Sequence, residues 1–417
     1  MTRKLQEGIY HAPKTRPGKF FVILFLRAGE GFNASQIGEA FLKLWEVYQG
    51  LKNGKIRDLP DHPVPSGDLT VLVGYGPNVF KLANVQHPLP RDLDSKNQFR
   101  SPRPTGGGSL MIGSGLQYTD DIRSNFATEE IVVQFIAETQ LAVNRAVVET
   151  WKILREMTDV DTSTAPLLQT SFYSGFQRED HRSWIDFHDG LSNMKSEERE
   201  KAIVVKPRPS TEQDDQWTEG GTYLAFLRLG VDLDIWQTLD RQQQELLVGR
   251  DKLSGCPLEK LTSEGKPVGS VGCPFIGTKE VSDIEDGNLK FLEPKKVADT
   301  VIDQSHVQRA NRHVDPVEDR NSLRIFRQGY EFLEPIESYP GFRAGLNFVS
   351  YQDTPERLRR ILTQSKWLGS TNFGGDPVAP VPGMDSFLTV RAAGVFLVPP
   401  VIDGELFPGA NIFFEAD

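Results

Sequence analysis

Three residues of this 417-residue chain have the types and surroundings that acid–base or metal chemistry requires. Asp189 precedes Gly190 in a turn-forming segment, and a carboxylate there could move a proton. Arg327 could stabilise negative charge, and His306 could bind a metal through an imidazole nitrogen. Each also has a structural interpretation: an aspartate that caps its own turn, half of an ion pair, and a surface histidine. Because the chain has 7 histidines, composition alone does not identify a ligand.

The charge and hydropathy of the chain argue against several classes of partner. A formal net charge of -10 gives no basic footprint, so we expect neither nucleic acid nor an anionic membrane surface to bind it. The strongest apolar runs, such as residues 20–26, are too short to span a bilayer. Residues 1–7 include basic side chains with no apolar run after them, so we expect no secretory signal and a cytoplasmic protein.

The two cysteines, Cys256 and Cys273, are too few for a disulfide framework and do not match the spacing of zinc ligands. We expect both to be reduced, in keeping with a cytoplasmic location. A single disulfide between them is the alternative.

Hydrophobic patterning divides the chain into strands and helices that recur in each half. Apolar, β-branched runs predict strands. The predicted strands are 19–27, 68–75 and 167–173 in the N-terminal half, and 222–229, 344–351 and 387–398 in the C-terminal half. Because strands and helices mix too irregularly for a parallel βαβ array, the pattern favours two α+β domains with antiparallel sheets.

Helix starts are predicted from capping residues. Asn33 followed by Gln36 is typical of a capping box. A second helix is predicted over 128–155, with Thr128 as its cap and two acidic residues in its first turn. Two further helices are predicted over 239–248, ending at Gly249, and from 354 onward.

The domain boundaries are predicted from length and composition. The chain is too long for one ordinary core, which favours two domains. Residues 196–216 are polar, charged and proline-bearing, so they are predicted to link an N-terminal domain, 1–195, to a C-terminal domain, 217–417.

Six motifs, in order along the chain, resemble those of the dye-decolourising peroxidases. The first is the turn Asp189-Gly190 with Asn193, which is similar to the family's Gly-x-x-Asp-Gly motif. The third is the histidine segment with Ala310 and Asn311. The others are 244–250, 327–330, 345–352 and 393–400.

The resemblance implies two fused ferredoxin-like domains, dimeric α/β-barrel-like, whose antiparallel sheets are flanked by helices. It implies haem b (iron protoporphyrin IX), held mainly by the C-terminal domain, with His306 as the iron ligand. Asp189 and Arg327 would be the catalytic pair on the other face of the haem. Leu346 and Phe348 would be the apolar residues of that pocket.

Two further cofactor contacts follow from the resemblance. The family's arginine two residues after the ligand histidine is Gln308 here, and the adjacent Arg309 is the candidate for contacting the haem propionates. Asp385 is the candidate acceptor for the second imidazole nitrogen of His306.

One departure from the family pattern lies beside the catalytic aspartate, where Asp186 replaces the first glycine of the turn motif. Either Asp186 points to solvent and the turn is rebuilt, or it lies at the pocket mouth and raises the apparent pKa of Asp189 by like-charge repulsion. In addition, Gly329 stands where some relatives have an asparagine.

The implied function is oxidation of organic reductants, such as dyes and phenolics, by hydrogen peroxide. Because such reductants are too bulky for the pocket, oxidising equivalents would have to leave through aromatic residues; the candidates are Trp184, Trp217, Trp236, Trp367 and Tyr330. The alternative, motivated by Asp186, is a haem-binding carrier or sensor without efficient turnover. A third interpretation is a structural protein that has lost haem. The sequence leaves open whether the chain forms a homo-oligomer.

Overall fold

The computed structural model describes residues 3–10, 18–93, 99–102, 109–112, 116–117, 126–127, 129–159, 164–194, 196–207, 215–270, 273, 294–310, 322–362 and 388–415. Eight long strands form a closed antiparallel barrel. They are β1 (Phe20–Ala28), β2 (Thr70–Tyr75), β3 (Ile131–Ala137), β4 (Leu167–Phe176), β5 (Thr222–Val231), β6 (Phe326–Pro335), β7 (Phe342–Gln352) and β8 (Leu388–Val398).

In the part of the chain that the structure describes, seven helices connect the strands or lie in the segments between them in sequence. They are α1 (Ala34–Lys52), α2 (Gln140–Glu156), α3 (Ser196–Ile203), α4 (Leu233–Gln237), α5 (Arg241–Val248), α6 (His306–Ala310) and α7 (Glu356–Leu362). Short strand pairs join Arg3–Lys4 to Val401–Ile402, Phe99–Pro102 to Ser109–Ile112, Leu116–Gln117 to Phe126–Ala127 and Leu258–Leu261 to Pro267–Gly269. Short 3₁₀ turns span Val79–Lys81, Arg91–Leu93, Ile302–Gln304 and Ala410–Ile412. Among the described residues, no helix is both long enough and apolar enough to cross a bilayer.

The barrel is made of two half-barrels that have the same topology. The strand order around the barrel is β5-β7-β6-β4-β1-β3-β2-β8, and β8 pairs with β5 to close it. Within each half the strands follow the order 4-1-3-2 of a βαββαβ unit, with α1 and α2 as the crossovers in the first half. The prediction of two fused ferredoxin-like sheets is therefore confirmed.

Aromatic side chains fill the inside of the barrel. Alternate residues of each strand point inward. Phe25 of β1 lies 5.8 Å, between ring centroids, from both Phe226 of β5 and Phe396 of β8. Tyr330 of β6 stacks on Phe21 at 4.4 Å. The other face of the strands packs against the helices and leaves room for a cavity beside β5, β6 and β7.

The first predicted helix is confirmed and the second is placed wrongly in part. Asn33 and Gln36 form both hydrogen bonds of a capping box at the start of α1, each 3.0 Å long. The predicted helix 128–155 is instead strand β3 followed by α2, which is capped by Thr139 rather than Thr128. Gly249 ends α5 in a left-handed conformation, as predicted.

The prediction of reduced cysteines is wrong, because Cys256 and Cys273 form a disulfide with Cα atoms 6.1 Å apart. That separation is normal for a disulfide. The cytoplasmic location remains a prediction and loses this support. The domain boundaries also remain a prediction; part of the predicted linker 196–216 folds as α3.

Candidate active site

One face of strand β6 forms part of the floor of a cavity of about 250 Å³. Arg327, Gly329 and Glu331 are alternate residues of this strand, so they share a face, and all three line the cavity. The neighbouring strand β7 places Phe348 opposite Gly329 and Leu346 opposite Glu331. The cavity floor is therefore an apolar sheet face that carries one guanidinium and one carboxyl group.

The loop before α3 brings Asp189 over this sheet face. The Asp189 backbone N–H donates to the carbonyl of His181 at 3.0 Å, and Gly190 adopts a left-handed conformation with φ 80°. The Gly190 N–H donates to Oδ1 of Asp189 at 2.7 Å. An aspartate that caps its own turn, the structural alternative for Asp189, would make this hydrogen bond. The second carboxylate oxygen, Oδ2, nevertheless points to the cavity floor.

Asn193 links the aspartate turn to the arginine strand. Its amide Nδ2 donates to the Arg327 carbonyl at 2.7 Å, and its Oδ1 accepts from the Arg327 N–H at 3.2 Å. Because both backbone groups of one residue are held by one side chain, the turn and β6 are fixed in relative position. This explains why an asparagine accompanies the Asp-Gly pair in the motif.

The carboxylate of Asp189 lies directly over Gly329. Its Oδ2 is 2.6 Å from the position that a Cβ on residue 329 would occupy. Asp189 and Arg327 interact electrostatically: burial lowers the pKa of Arg327, the Asp189 charge opposes that change, and Arg324 adds to it. The cavity therefore holds a carboxylate and a guanidinium that interact in a largely apolar setting.

His306 reaches the cavity from α6. It is half-buried, and it lines the cavity together with Val307 and Ala310. Gly249, at the end of α5, packs so closely on Ser305 that there is no room for a Cβ. The motif at residues 244–250 is therefore in contact with the segment that carries His306.

The residue after Gly249, Arg250, was not predicted as a site residue, although it lies in one of the recognised motifs. It is buried, lines the cavity and donates from Nη1 to the Gly255 carbonyl at 2.7 Å. Burial, together with the charge of Arg327, lowers its pKa to about 9. Arg324, a third arginine of the lining, pairs with Glu198 at 2.6 Å.

Glu331 is a second site residue that the sequence did not single out. It is only 5% exposed, and burial raises its pKa to about 9, with a smaller contribution in the same direction from Asp189. Arg178 and the backbone N–H of Trp184 act in the opposite direction. Its period-two spacing from Arg327 was the available signal, because alternate residues of a strand share a face.

The predicted site residues fall into three groups. Asp189, Arg327, His306, Leu346 and Phe348 all line the one cavity. Arg309 lies on α6 but is not among the lining residues. Asp385 lies outside the described residues, so its predicted role stays a prediction.

Asp186 does not line the cavity. Its φ is 64°, in the left-handed region that a glycine adopts without strain. Its side chain is 60% exposed, and Oδ2 lies 3.7 Å from Nζ of Lys252. The geometry favours the first of the two alternatives, a rebuilt turn with the carboxylate toward solvent.

The lining residues fit a haem group. A histidine can coordinate iron through its imidazole, and apolar walls suit a porphyrin. Among the described residues, the lining carries three arginines, Arg250, Arg324 and Arg327, but only two carboxyl groups. The two anionic propionates of a haem would balance this excess of positive charge. The site therefore has the donor, the walls and the charge that haem binding requires.

Fold and site together define a two-domain ferredoxin-like protein with a histidine-bearing, arginine-rich cavity. A family model described as "Dyp-type peroxidase, C-terminal" matches residues 180–403, more than half of the chain. The chain belongs to the Dyp-type peroxidase family.

Individual relatives are distant. The chain is 24% identical to the deferrochelatase of Shigella flexneri over 291 residues, covering 70% of this chain and 59% of the relative. It is 24% identical to the dye-decolorizing peroxidase of Thermobifida fusca over 321 residues, covering 76% of this chain and 64% of the relative. The match therefore spans about six tenths of the length of these curated relatives.

Solved structures share the fold over nearly the whole chain. The DyP-type peroxidase of Cellulomonas bogoriensis aligns with a TM-score of 0.65 and 18% identity, covering 98% of this chain and 97% of that one. The DyP-type peroxidase of Streptomyces coelicolor aligns with a TM-score of 0.66 and 20% identity, with the same coverage of both chains.

Proposed function

We propose that the protein is a haem b peroxidase that uses hydrogen peroxide to oxidise organic reductants such as dyes and phenolics. Family membership supports the general activity. The observation that carries the proposal is that Asp189, Arg327 and His306, which are far apart in sequence, line one cavity. A carboxylate beside a guanidinium, in the same cavity as an imidazole, is the set of groups that peroxide cleavage needs.

Each side chain has a distinct role in this proposal. Haem, when bound, supplies the iron at which the peroxide O–O bond is broken. Asp189 takes a proton from one peroxide oxygen and returns it to the other, as a general base and then a general acid. Arg327 stabilises the negative charge that develops as the bond breaks, and its partly buried position in an apolar cavity strengthens that effect.

Other residues hold the cofactor and limit the space around it. His306 would ligate the iron, and Asp385 would accept a hydrogen bond from its second nitrogen. Arg250 contributes positive charge for the propionates, a role proposed also for Arg309. Leu346 and Phe348 would keep the cavity small enough for peroxide and water while excluding dyes.

Reductants that cannot enter the cavity would have to donate electrons through an aromatic side chain. Trp217, Trp236 and Tyr330 are buried, and Trp367 lies outside the described residues. Trp184 is partly exposed and lines the cavity, with the Arg178 guanidinium 4.9 Å from its ring centroid. Among the five candidates, Trp184 is therefore the one whose position supports a role in carrying electrons from the surface to the cavity.

Reconstitution with haem b tests the proposal. We expect the purified chain to bind one haem with a Soret band, and the complex to consume peroxide only when a phenolic or dye reductant is oxidised in parallel. His306→Ala should abolish the band, whereas His62→Ala, at an exposed position remote from the cavity, should retain it.

The alternatives give different results in the same experiment. Haem binding without peroxide consumption would indicate a carrier or sensor, and absence of haem binding would indicate a structural protein. Wild-type haem binding by His306→Ala would contradict the assigned ligand, and His313 would be the next candidate.

A further inference from the structure

The buried carboxyl group of Glu331 has no role in the cleavage step described above. It belongs to the cavity floor, on the same strand face as Arg327 and two residues beyond Gly329. Leu346 faces it across the sheet on one side, and on the other side it pairs with Phe176 of β4, at the junction between the two half-barrels. Burying a carboxyl group among apolar side chains costs free energy, so a functional role for Glu331 is worth seeking.

Several charged groups act on Glu331. Asp189 lines the same cavity. Arg178 and Asp180, which form a partly exposed ion pair, also interact electrostatically with Glu331. Trp184, in the same loop, donates its backbone N–H to the Glu331 carboxyl and its indole N–H to the Phe332 carbonyl at 2.9 Å. Glu331 therefore lines the cavity and also interacts electrostatically with an ion pair that is partly exposed to solvent.

The overall reaction needs a proton source besides Asp189. Reduction of hydrogen peroxide to two waters consumes two electrons and two protons, and two reductant molecules each lose one electron. Asp189 takes and returns the same proton during O–O cleavage, so it delivers none in net terms. Since the reductant stays outside the cavity, the two protons that form the second water must come from another group in the cavity.

Among the described lining residues, few other titratable groups can serve. His306 would be occupied by iron, and Nε2 of His188 lies 2.9 Å from Nη2 of Arg182. Of the three lining arginines, Arg327 already stabilises charge in the cleavage step, Arg250 donates to the Gly255 carbonyl and Arg324 pairs with Glu198. Glu331 remains, and a buried carboxyl that stays neutral at pH 7 can donate a proton.

We propose, on the basis of the peroxidase function above, that Glu331 is a second acid–base residue, which delivers protons to the oxygen that leaves as the second water. Each delivery converts the neutral carboxyl to a carboxylate. A proton from solvent, arriving at the Arg178–Asp180 pair, then restores the neutral form. In this proposal Asp189 assists O–O cleavage, and Glu331 supplies the protons that the overall reaction consumes.

Glu331→Gln separates these two steps, because glutamine has nearly the same shape but cannot donate a proton in turnover. We expect the haem-loaded variant to react with peroxide within about twofold of the wild-type rate, while steady-state turnover falls on the order of a hundredfold. Glu331→Asp should recover part of the turnover. Glu337→Gln, at an exposed position six residues further on, is the control and should match wild type.

The pH dependence supplies a readout that a merely structural role would not change. Because Glu331 must be protonated to act and its pKa is raised to about 9, wild-type turnover should fall as the pH rises through that value. The variant Glu331→Gln should lack this alkaline limb. Wild-type turnover in Glu331→Gln, with the same alkaline limb, would overturn the inference. If the wild-type holoprotein does not react with peroxide at all, the peroxidase proposal fails instead.

Stability of the haem-free protein gives an independent test. The folded-state pKa of about 9 exceeds the ordinary value of 4.5, so folding favours the protonated form. The stability contribution is fully present below pH 4.5 and is lost as the pH rises to about 9. Urea unfolding across this range should show the loss, and Glu331→Gln should reduce it.

Glu130→Gln is the matched control for the stability test. Burial raises the pKa of Glu130 to about 7, so this variant should remove only the part of the loss that occurs below that pH. If the stability curves of Glu331→Gln and wild type are parallel from pH 7 to 9, Glu331 is ionised at neutral pH and is not the proton donor.

Discussion

Asp189 occupies the space that a side chain on residue 329 would need, since its Oδ2 lies 2.6 Å from the Cβ position of an alanine there. Leu346 Cδ1 lies 3.1 Å from the same point, so the apolar wall closes the other side. Gly329 therefore provides room for the carboxylate on the cavity floor.

Gly329→Ala should impair the chemistry while leaving the fold intact. The new Cβ would displace the end of the flexible Asp189 side chain rather than backbone, so stability should hardly change. A displaced carboxylate should slow the peroxide reaction about a hundredfold. Stopped-flow absorbance of the haem-loaded variant measures the rate, and thermal unfolding measures the stability.

Gly50→Ala is the control, because a Cβ there meets only an ordinary contact of 3.4 Å to the Lys55 carbonyl. If Gly329→Ala reacts with peroxide at the wild-type rate, Asp189 does not need the position seen here.

The fold was predictable from the sequence except where short apolar runs are ambiguous. Residues 131–137 are all buried and form β3, but a short, mostly apolar run looks the same in a strand and in a buried helix. Two glutamates just before it suggested a helix start. In the structure they are buried instead: Thr170 donates to Glu129 and the Ala28 N–H donates to Glu130.

The site was predictable only as far as its motifs reach. Asp189, Arg327 and His306 were identified through motif order, although their meeting in one cavity depends on closure of the barrel. Arg250 lies in a motif and Glu331 has period-two spacing from Arg327, but neither signal indicates that the charged side chain is buried, so both were missed. The pKa values of both groups depend on neighbours that are distant in sequence. Arg327 affects the pKa of Arg250, and the Trp184 backbone N–H affects that of Glu331.

Arg327→Leu and Asp189→Asn should both slow the reaction with peroxide. Loss of the guanidinium removes a preorganised charge, and the expected cost is about a hundredfold or more. Asp189→Asn removes the proton carrier and should also change the pH dependence of the rate. Arg57→Leu, an exposed arginine paired with Glu156, is the control.

We expect the arginine variant to be the slower of the two by a narrow margin. Haem stoichiometry is measured in parallel, so that a loss of cofactor is not mistaken for a loss of chemistry. Wild-type rates in both fully loaded variants would show that neither residue assists O–O cleavage.

The disulfide should stabilise both the fold and the cavity. Cys256 and Cys273 are 17 residues apart, and a loop of that size corresponds to about 3 kcal/mol of stability. The carbonyl of Gly255, next to Cys256, holds Arg250, and Gly255 packs on Leu191 of the aspartate loop. Cys256→Ser should therefore lower both the free energy of unfolding and the affinity for haem.

Chemical denaturation and haem titration measure these two effects, and treatment of wild type with a thiol reductant should reproduce them. Cys273→Ser is the matched variant, because it breaks the same bond without touching the Arg250 loop directly. Two reactive thiols in the unreduced, denatured protein would show that the disulfide does not form.

Asp186→Gly should leave the pH–rate profile of the peroxide reaction superimposable on that of wild type. The Asp186 carboxylate is largely exposed and lies 3.7 Å from Nζ of Lys252, and glycine adopts the same left-handed backbone readily. The charge is therefore screened by solvent and by the lysine before it can act on Asp189. Lys252→Gln tests the same point from the other side and should also leave the profile unchanged. A downward shift of the acid limb in Asp186→Gly would show instead that the charge of Asp186 acts on Asp189.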